Sequence, residues 1–179
     1  MTRRILWAPW RIEYIRAPKD GECVFCAARD DGDDRARLVL LRGRQAFLVL
    51  NRYPYTSGHL MVVPNRHVAA PEDCTAEEAA ELWSLMVRAK QALGEALSPQ
   101  GFNVGFNVGK AAGAGIKDHL HLHVVPRWVG DTNFMPVLGD VRVVSQHLEE
   151  TYDQLAARLP ASGGSGTPSP ESGPRGSSR

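Results

Sequence analysis

Two apolar runs within Leu38–Tyr53, "LVLL" and "AFLVL", flank Arg42-Gly43-Arg44 and predict a β-hairpin. "GHLMVVP", Gly58 to Pro64, is a short apolar run closed by proline and predicts a central strand. The period then changes. Ala79, Leu82, Leu85, Met86, Ala89 and Leu93 recur at intervals of three and four, the spacing of one long amphipathic helix between Pro71 and Leu97. Thr75 and Glu78 have the spacing of a capping box at its start, and Gly94 and Pro99 are expected to punctuate its end. "GFNVGFNVG", Gly101 to Gly109, alternates as a strand does, and "LHLHVVP", Leu120 to Pro126, predicts another. A last helical segment is expected from about Ser145 to Leu159. The order β-β-β-α-β-β-α with short connections implies an α+β fold, an antiparallel sheet with a long packed helix and a C-terminal helix.

Length fits one domain of 179 residues with its own core. Composition narrows its extent. From Ala161 to Arg179, 14 of 19 residues are Gly, Ser or Pro, so 161–179 is expected to be a disordered tail on a domain spanning 1–160. A net charge of +1 gives no basic field for nucleic acid. No apolar run is long enough for a signal peptide or a membrane span, so the cytoplasm is the expected location. Three cysteines, two as Cys23-x-x-Cys26, suit a reducing compartment better than a disulfide framework.

Three of the six histidines, His119, His121 and His123, stand at strict alternation in "DHLHLHVVPRW". On a strand they share one face, while Leu120, Leu122 and Val124 point to the core and fix the register. A solvated face would more often use Ser, Thr, Lys or Glu, so converging chemistry is the better reading. A three-histidine metal site is one possibility. The other is phosphate chemistry, favoured by the small-residue loop from Gly109 to Gly115, whose backbone N–H groups could approach an anion closely. An imidazole there could attack phosphorus and hold the transferred group, with its neighbours binding phosphate oxygens.

These residues resemble the signature of the histidine triad (HIT) family of nucleotide hydrolases and transferases. "LNRYPYTSGHLMVVP" and "GFNVGFNVG…DHLHLHVVPRWVGDTNF" extend the resemblance over Ala46 to Leu138, towards the branch of bacterial diadenosine tetraphosphate phosphorylases, and "WAPWRIEYI" looks like the same branch. The resemblance implies a HIT-like fold and an enzyme that cleaves dinucleoside polyphosphates through a nucleotidyl-histidine. His121 would be the nucleophile and His123 the group that polarises a phosphate oxygen. Asn51 would reach the ribose, His59 would support the triad, and Asn107 with the Gly115–Ile116 backbone would touch phosphates. Relatives carry Gln or Ser where this chain has Gly115, so only main-chain contact is expected there. The acceptor is inorganic phosphate or water. A nucleoside phosphoramidase and a non-catalytic nucleotide-binding regulatory protein are the competing expectations.

Cys23 and Cys26 alone could be half a metal site, a redox pair or coincidence. A closed structural zinc needs two further ligands. The resemblance implies His67 and His119 for them, giving Cys2His2 zinc in an N-terminal extension, with His119 as a rigid support for the nucleophile strand. Family members are commonly homodimers through the long helix and the strand after it. The stripe Leu82–Leu93 could serve that interface or the chain's own core.

Overall fold

Five short apolar runs pair into a single antiparallel sheet. The computed structural model describes residues 22–109, 112, 119–131 and 146–160. Gly115, Ile116, the "WAPWRIEYI" segment and the 161–179 tail lie outside the described residues. The sheet contains β1 (Val39–Arg42), β2 (Ala46–Leu50), β3 (Leu60–Pro64), β4 (Gly101–Phe106) and β5 (Leu122–Arg127), in the order β1-β2-β3-β5-β4. The chain enters through two short helices, α1 (Val24–Asp30) and α2 (Asp34–Arg37), crosses from β3 to β4 through α3 (Ala76–Leu97), and ends in α4 (Leu148–Ala156).

Register follows the apolar pattern. Val49 lies opposite Met61, and Met61 opposite His123, which lies opposite Gly105 on β4. Side chains directly opposite share a face, so one face of the sheet carries the histidines. On the other face Leu60, Val62, Leu122 and Val124 meet α3, whose Leu82, Leu85, Met86, Ala89 and Leu93 are all buried in the same core. The Leu82–Leu93 stripe is therefore intramolecular core. The large apolar residues that α3 leaves exposed are Trp83 and Val87.

The capping box forms as the spacing predicts: Thr75 Oγ1 accepts from the Glu78 N–H at 3.2 Å, and Glu78 Oε2 accepts from the Thr75 N–H at 2.8 Å. The helix does not stop at Gly94. It runs on to Leu97 and ends at Ser98, whose left-handed conformation (φ 48°) turns the chain into Pro99. The histidine strand starts two residues later than expected, at Leu122, because ladder pairing with β3 begins there. The C-terminal helix is shorter than the 145–159 expectation, and it is tied to β1 by the Tyr152 hydroxyl, which donates to the Val39 carbonyl at 2.9 Å.

The pattern did not predict α1 and α2. Seven residues make a marginal helix, and α1 is held from outside by Arg42. The Arg42 guanidinium donates to the carbonyls of Arg29 (2.7 Å), Ala28 (2.8 Å) and Asp31 (2.9 Å) and to Asp34 Oδ1 (2.8 Å), satisfying the last carbonyls of α1. Replacing Arg42 by Met keeps the apolar stem and strips these donors. Unfolding free energy in urea should fall by about 2 kcal/mol, and an unchanged denaturation midpoint would contradict this anchoring.

Candidate active site and metal centre

All three alternating histidines are buried: His119 is 2 % exposed, His121 6 % and His123 8 %. Their face of the sheet is thus a lined recess rather than a wet surface. Burial of imidazole in low dielectric disfavours its charged form. It pushes His119 and His121 below their ordinary value and takes His123 down to about 4, with the neighbouring His121 adding to the last shift. All three rings are neutral at pH 7, so each has one N–H and one lone pair. Backbone groups decide which nitrogen has which.

His121 Nδ1 lies 2.9 Å from the carbonyl oxygen of His119. A carbonyl only accepts, so the proton sits on Nδ1 and the lone pair on Nε2. The same logic applies to His119, whose Nε2 lies 2.9 Å from the Pro64 carbonyl and must donate to it, leaving Nδ1 with the lone pair. His59 works the opposite way. The Tyr53 N–H donates to Asn51 Oδ1 at 2.9 Å, which turns the Asn51 amide nitrogen towards His59 Nδ1 at 3.2 Å. The Tyr55 N–H donates to that same nitrogen at 3.1 Å. His59 Nδ1 is therefore an acceptor, and its Nε2–H donates to His123 Nδ1 at 2.9 Å. His123 is left with its proton on Nε2; the Asn107 amide lies 3.4 Å away, and since an amide NH2 cannot accept that proton, the contact is a hydrogen bond only with the Asn107 Oδ1 turned towards the ring.

The result is a matched pair: a bare nitrogen on His121 and an N–H donor on His123, with ring centroids 4.7 Å apart. Gly105 opposite His123 has no side chain, and nothing lies within 4 Å of where a Cβ would stand. Gly58 is needed for the other reason. It has φ of 78°, and a Cβ there would fall 2.6 Å from Leu97 Cδ1, so only glycine brings the chain round into His59.

Cys23, Cys26, His67 and His119 converge, each offering one ligand atom, with all four atoms within 4.8 Å of one another. Cys23 Sγ is 3.2 Å and Cys26 Sγ 3.6 Å from His119 Nδ1, and Cys26 Sγ is 3.3 Å from His67 Nδ1. Two thiols and two imidazoles at these separations suit a tetrahedral metal ion, and the His119 nitrogen facing the thiols is the one with the lone pair. The loop carrying His67 is fixed by its neighbour Arg66, which pairs with the buried Glu78 at the start of α3 at 2.7 Å.

Among the sequence-singled residues, the structure brings together His119, His121, His123, His59, Asn51 and Asn107 in one row and Cys23, Cys26 and His67 at its end. Cys74 sits apart, partly buried against the core. Arg127 is held by Asp131, at 2.6 and 2.7 Å, and by Asn103 at 2.6 Å. Two participants were not read from the sequence: the Tyr55 backbone amide, which no side-chain pattern reports, and Phe25. The Phe25 ring lies 5.4 Å from that of His119 and 5.1 Å from that of His121.

A family model described as the HIT domain matches residues 35–129. The AP-4-A phosphorylase of Mycobacterium tuberculosis (strain H37Rv) is 42 % identical over 159 residues, covering 84 % of this chain and 82 % of that protein. The asymmetrical bis(5'-nucleosyl)-tetraphosphatase of Schizosaccharomyces pombe is 29 % identical over 66 % of this chain and 62 % of its own length. A crystal structure of a Zn-bound histidine triad family protein from Mycobacterium smegmatis superimposes with a TM-score of 0.60 at 30 % identity, covering 77 % of this chain and 93 % of that one.

Because the folded-state value of His123 is about 4 against 6.5 ordinarily, the unfolded chain takes up a proton between those pH values that the folded protein refuses. The stability contributed by neutral His123 is complete above about pH 6.5 and is lost as pH falls towards 4, a change of up to roughly 3 kcal/mol. Urea unfolding measured from pH 7 to 4 should show this decline in the wild type and a flatter one in His123→Gln. Equal slopes would contradict the burial argument.

Proposed function

The chain belongs to the histidine triad family, and from that premise we propose that it is a nucleotidyl-transferring enzyme that cleaves dinucleoside polyphosphates, with inorganic phosphate as the preferred acceptor. The observation that carries the reading is the tautomer of His121. Its Nδ1–H is engaged by the His119 carbonyl, so Nε2 is a bare nucleophile. Attack by that nitrogen on the α-phosphorus of diadenosine tetraphosphate forms an N–P bond and breaks the P–O bond to the remaining chain, which leaves as ATP. The imidazole becomes a cation whose Nδ1–H points at the His119 carbonyl dipole, where its charge is stabilised as it develops. His123 Nε2–H donates to a phosphoryl oxygen, and Asn107 borders the same position. Inorganic phosphate then displaces His121 from phosphorus and yields ADP. Water in its place would yield AMP.

The 42 % identity to the Mycobacterium tuberculosis AP-4-A phosphorylase supports phosphate as acceptor, and the tetraphosphatase relative keeps water as the rival. In this reading Cys23, Cys26, His67 and His119 hold a structural zinc ion. The donor set and the Zn-bound neighbour support that assignment. When bound, the metal supplies a cross-link between the start of α1, the loop after β3 and the histidine segment. Thiol ligands of this kind suit the reducing cytoplasm. The chain also acts as a homodimer. Val104 and Phe106 on edge strand β4 are exposed on the face that meets α3. They share that face with Phe102, over which Lys90 sits at 5.5 Å, while Trp83 and Val87 continue the Lys90 stripe of α3. A second copy would cover this apolar surface.

Incubation with diadenosine tetraphosphate, followed by phosphorus NMR, tests the chemistry. ADP plus ATP should appear only with inorganic phosphate; AMP plus ATP without it would show hydrolysis. His121→Gly should lose at least about a thousandfold in turnover, since it removes the nucleophile itself, and full activity in that variant would refute the mechanism. Elemental analysis of protein purified without added metal should find about one zinc per chain. In sedimentation, Phe106→Asp should convert a dimer to a monomer.

A further inference from the structure

The histidine row and the metal cluster meet at one apolar side chain. Phe25 stands between Cys23 and Cys26 in α1, is 3 % exposed, and its ring meets those of His119 and His121 together. α1 is fixed at both ends, by the two thiols at its start and by Arg42 on its last carbonyls, so Phe25 cannot drift independently of the cluster. Among the described residues, the His121 imidazole has one hydrogen bond to set its direction, and rotation about its Cβ–Cγ bond is otherwise limited by two ring neighbours: Phe25, crossing at 52°, and His123, crossing at 71° and 4.7 Å. Turning the imidazole drives its edge into one or the other.

We propose that Phe25 is a positioning residue for His121, holding the nucleophile's ring in its attacking orientation and making that orientation depend on the integrity of the metal-binding turn. This rests on His121 being the nucleophile. The dependence runs through packing: closing the cluster on Cys23 and Cys26 seats α1, α1 seats Phe25, and Phe25 narrows the slot occupied by His121. Near-attack geometry tolerates little displacement, and a shift of about 1 Å can cost on the order of a hundredfold in rate.

The experiment compares wild type, Phe25→Leu and metal-stripped wild type by imidazole 15N NMR and by steady-state kinetics. Wild type should show His121 as a single tautomer with an unprotonated Nε2 and an ordered ring. In Phe25→Leu, which keeps apolar bulk, the His121 signals should broaden or divide between tautomers. Turnover of diadenosine tetraphosphate should then fall about a hundredfold, with KM changed less than about twofold. Chelation of the metal from wild type should reproduce the spectral change. An unaltered His121 spectrum in the variant, or a loss expressed only in KM, overturns the proposal and makes Phe25 a substrate contact or plain core. An ordered His121 in metal-stripped protein overturns the link to the cluster. If wild type turns over no dinucleotide, the proposed function fails, while the NMR comparison still decides for or against Phe25.

Discussion

The hydrogen bond from His121 Nδ1 to the carbonyl of His119 determines what the rest of the site can be. It selects which nitrogen is bare, and it does so with the backbone of the residue whose ring turns its own lone pair to Cys23 and Cys26. One residue thereby serves two groups, its carbonyl on the His121 ring and its Nδ1 on the cluster of Cys23, Cys26 and His67, while its Nε2–H is spent on Pro64 at the end of β3. Moving His119 would alter all three. These contacts tie down His119 and His121 although the ladder of β5 begins only at Leu122. Where sheet pairing is lacking, side-chain and carbonyl contacts supply the constraint.

Burial gives this arrangement its chemical character. Placing three imidazoles at 2–8 % exposure is costly if any is charged, and neutrality together with a hydrogen bond to at least one nitrogen of each ring avoids that cost, with His121 Nε2 left open. No buried side-chain nitrogen or oxygen among the described residues lacks a partner. Such a network has little freedom: the donors at Tyr53 and Tyr55 propagate through Asn51 and His59 to His123, so two loop amides decide that His123 offers a proton at its outer nitrogen. Asn51, expected at the ribose, has its amide engaged in this relay.

Much of this was legible in the sequence because it is periodic. Alternation placed His119, His121 and His123 on one face, and the three-four spacing of α3 marked its buried stripe from Leu82 to Leu93, though Ala79, counted with it, is exposed. Thr75 and Glu78 marked its start through a local backbone rule. Gly94 and Pro99 bracketed its end, which falls at Leu97, and packing of Leu93 and Leu97 offsets the entropy cost of a glycine inside the last turn. α1 was unreadable as a helix, since its seven residues are stabilised by Arg42 and by the cysteines, which are distant or non-helical signals. Tautomers were unreadable in principle. They depend on which carbonyl or amide meets each ring, and that is a property of tertiary structure. Phe25 was invisible for a related reason: between two cysteines it looks like any core aromatic until His121 is seen against it.

The electrostatics favour a transition state over a bound substrate. The described side chains in ring or hydrogen-bond contact with the His121 and His123 rings are Phe25, Tyr55, His59 and Asn107, with His121 and His123 meeting each other, and none carries a formal charge in the tautomers derived above. A divalent ion with two thiolates and two neutral imidazoles would add no net charge either. Among the described residues, a polyphosphate at this row would therefore find dipoles rather than fixed cations. In the proposed reaction, positive charge would arise beside the phosphoryl group only as His121 Nε2 bonds to phosphorus, where the His119 carbonyl is already aligned. Interactions that strengthen only as the bond forms accelerate the chemical step instead of tightening the ground state. Neutral, buried and directionally fixed imidazoles among the described residues thus suit the proposed reaction, whose charge appears only as the bond forms.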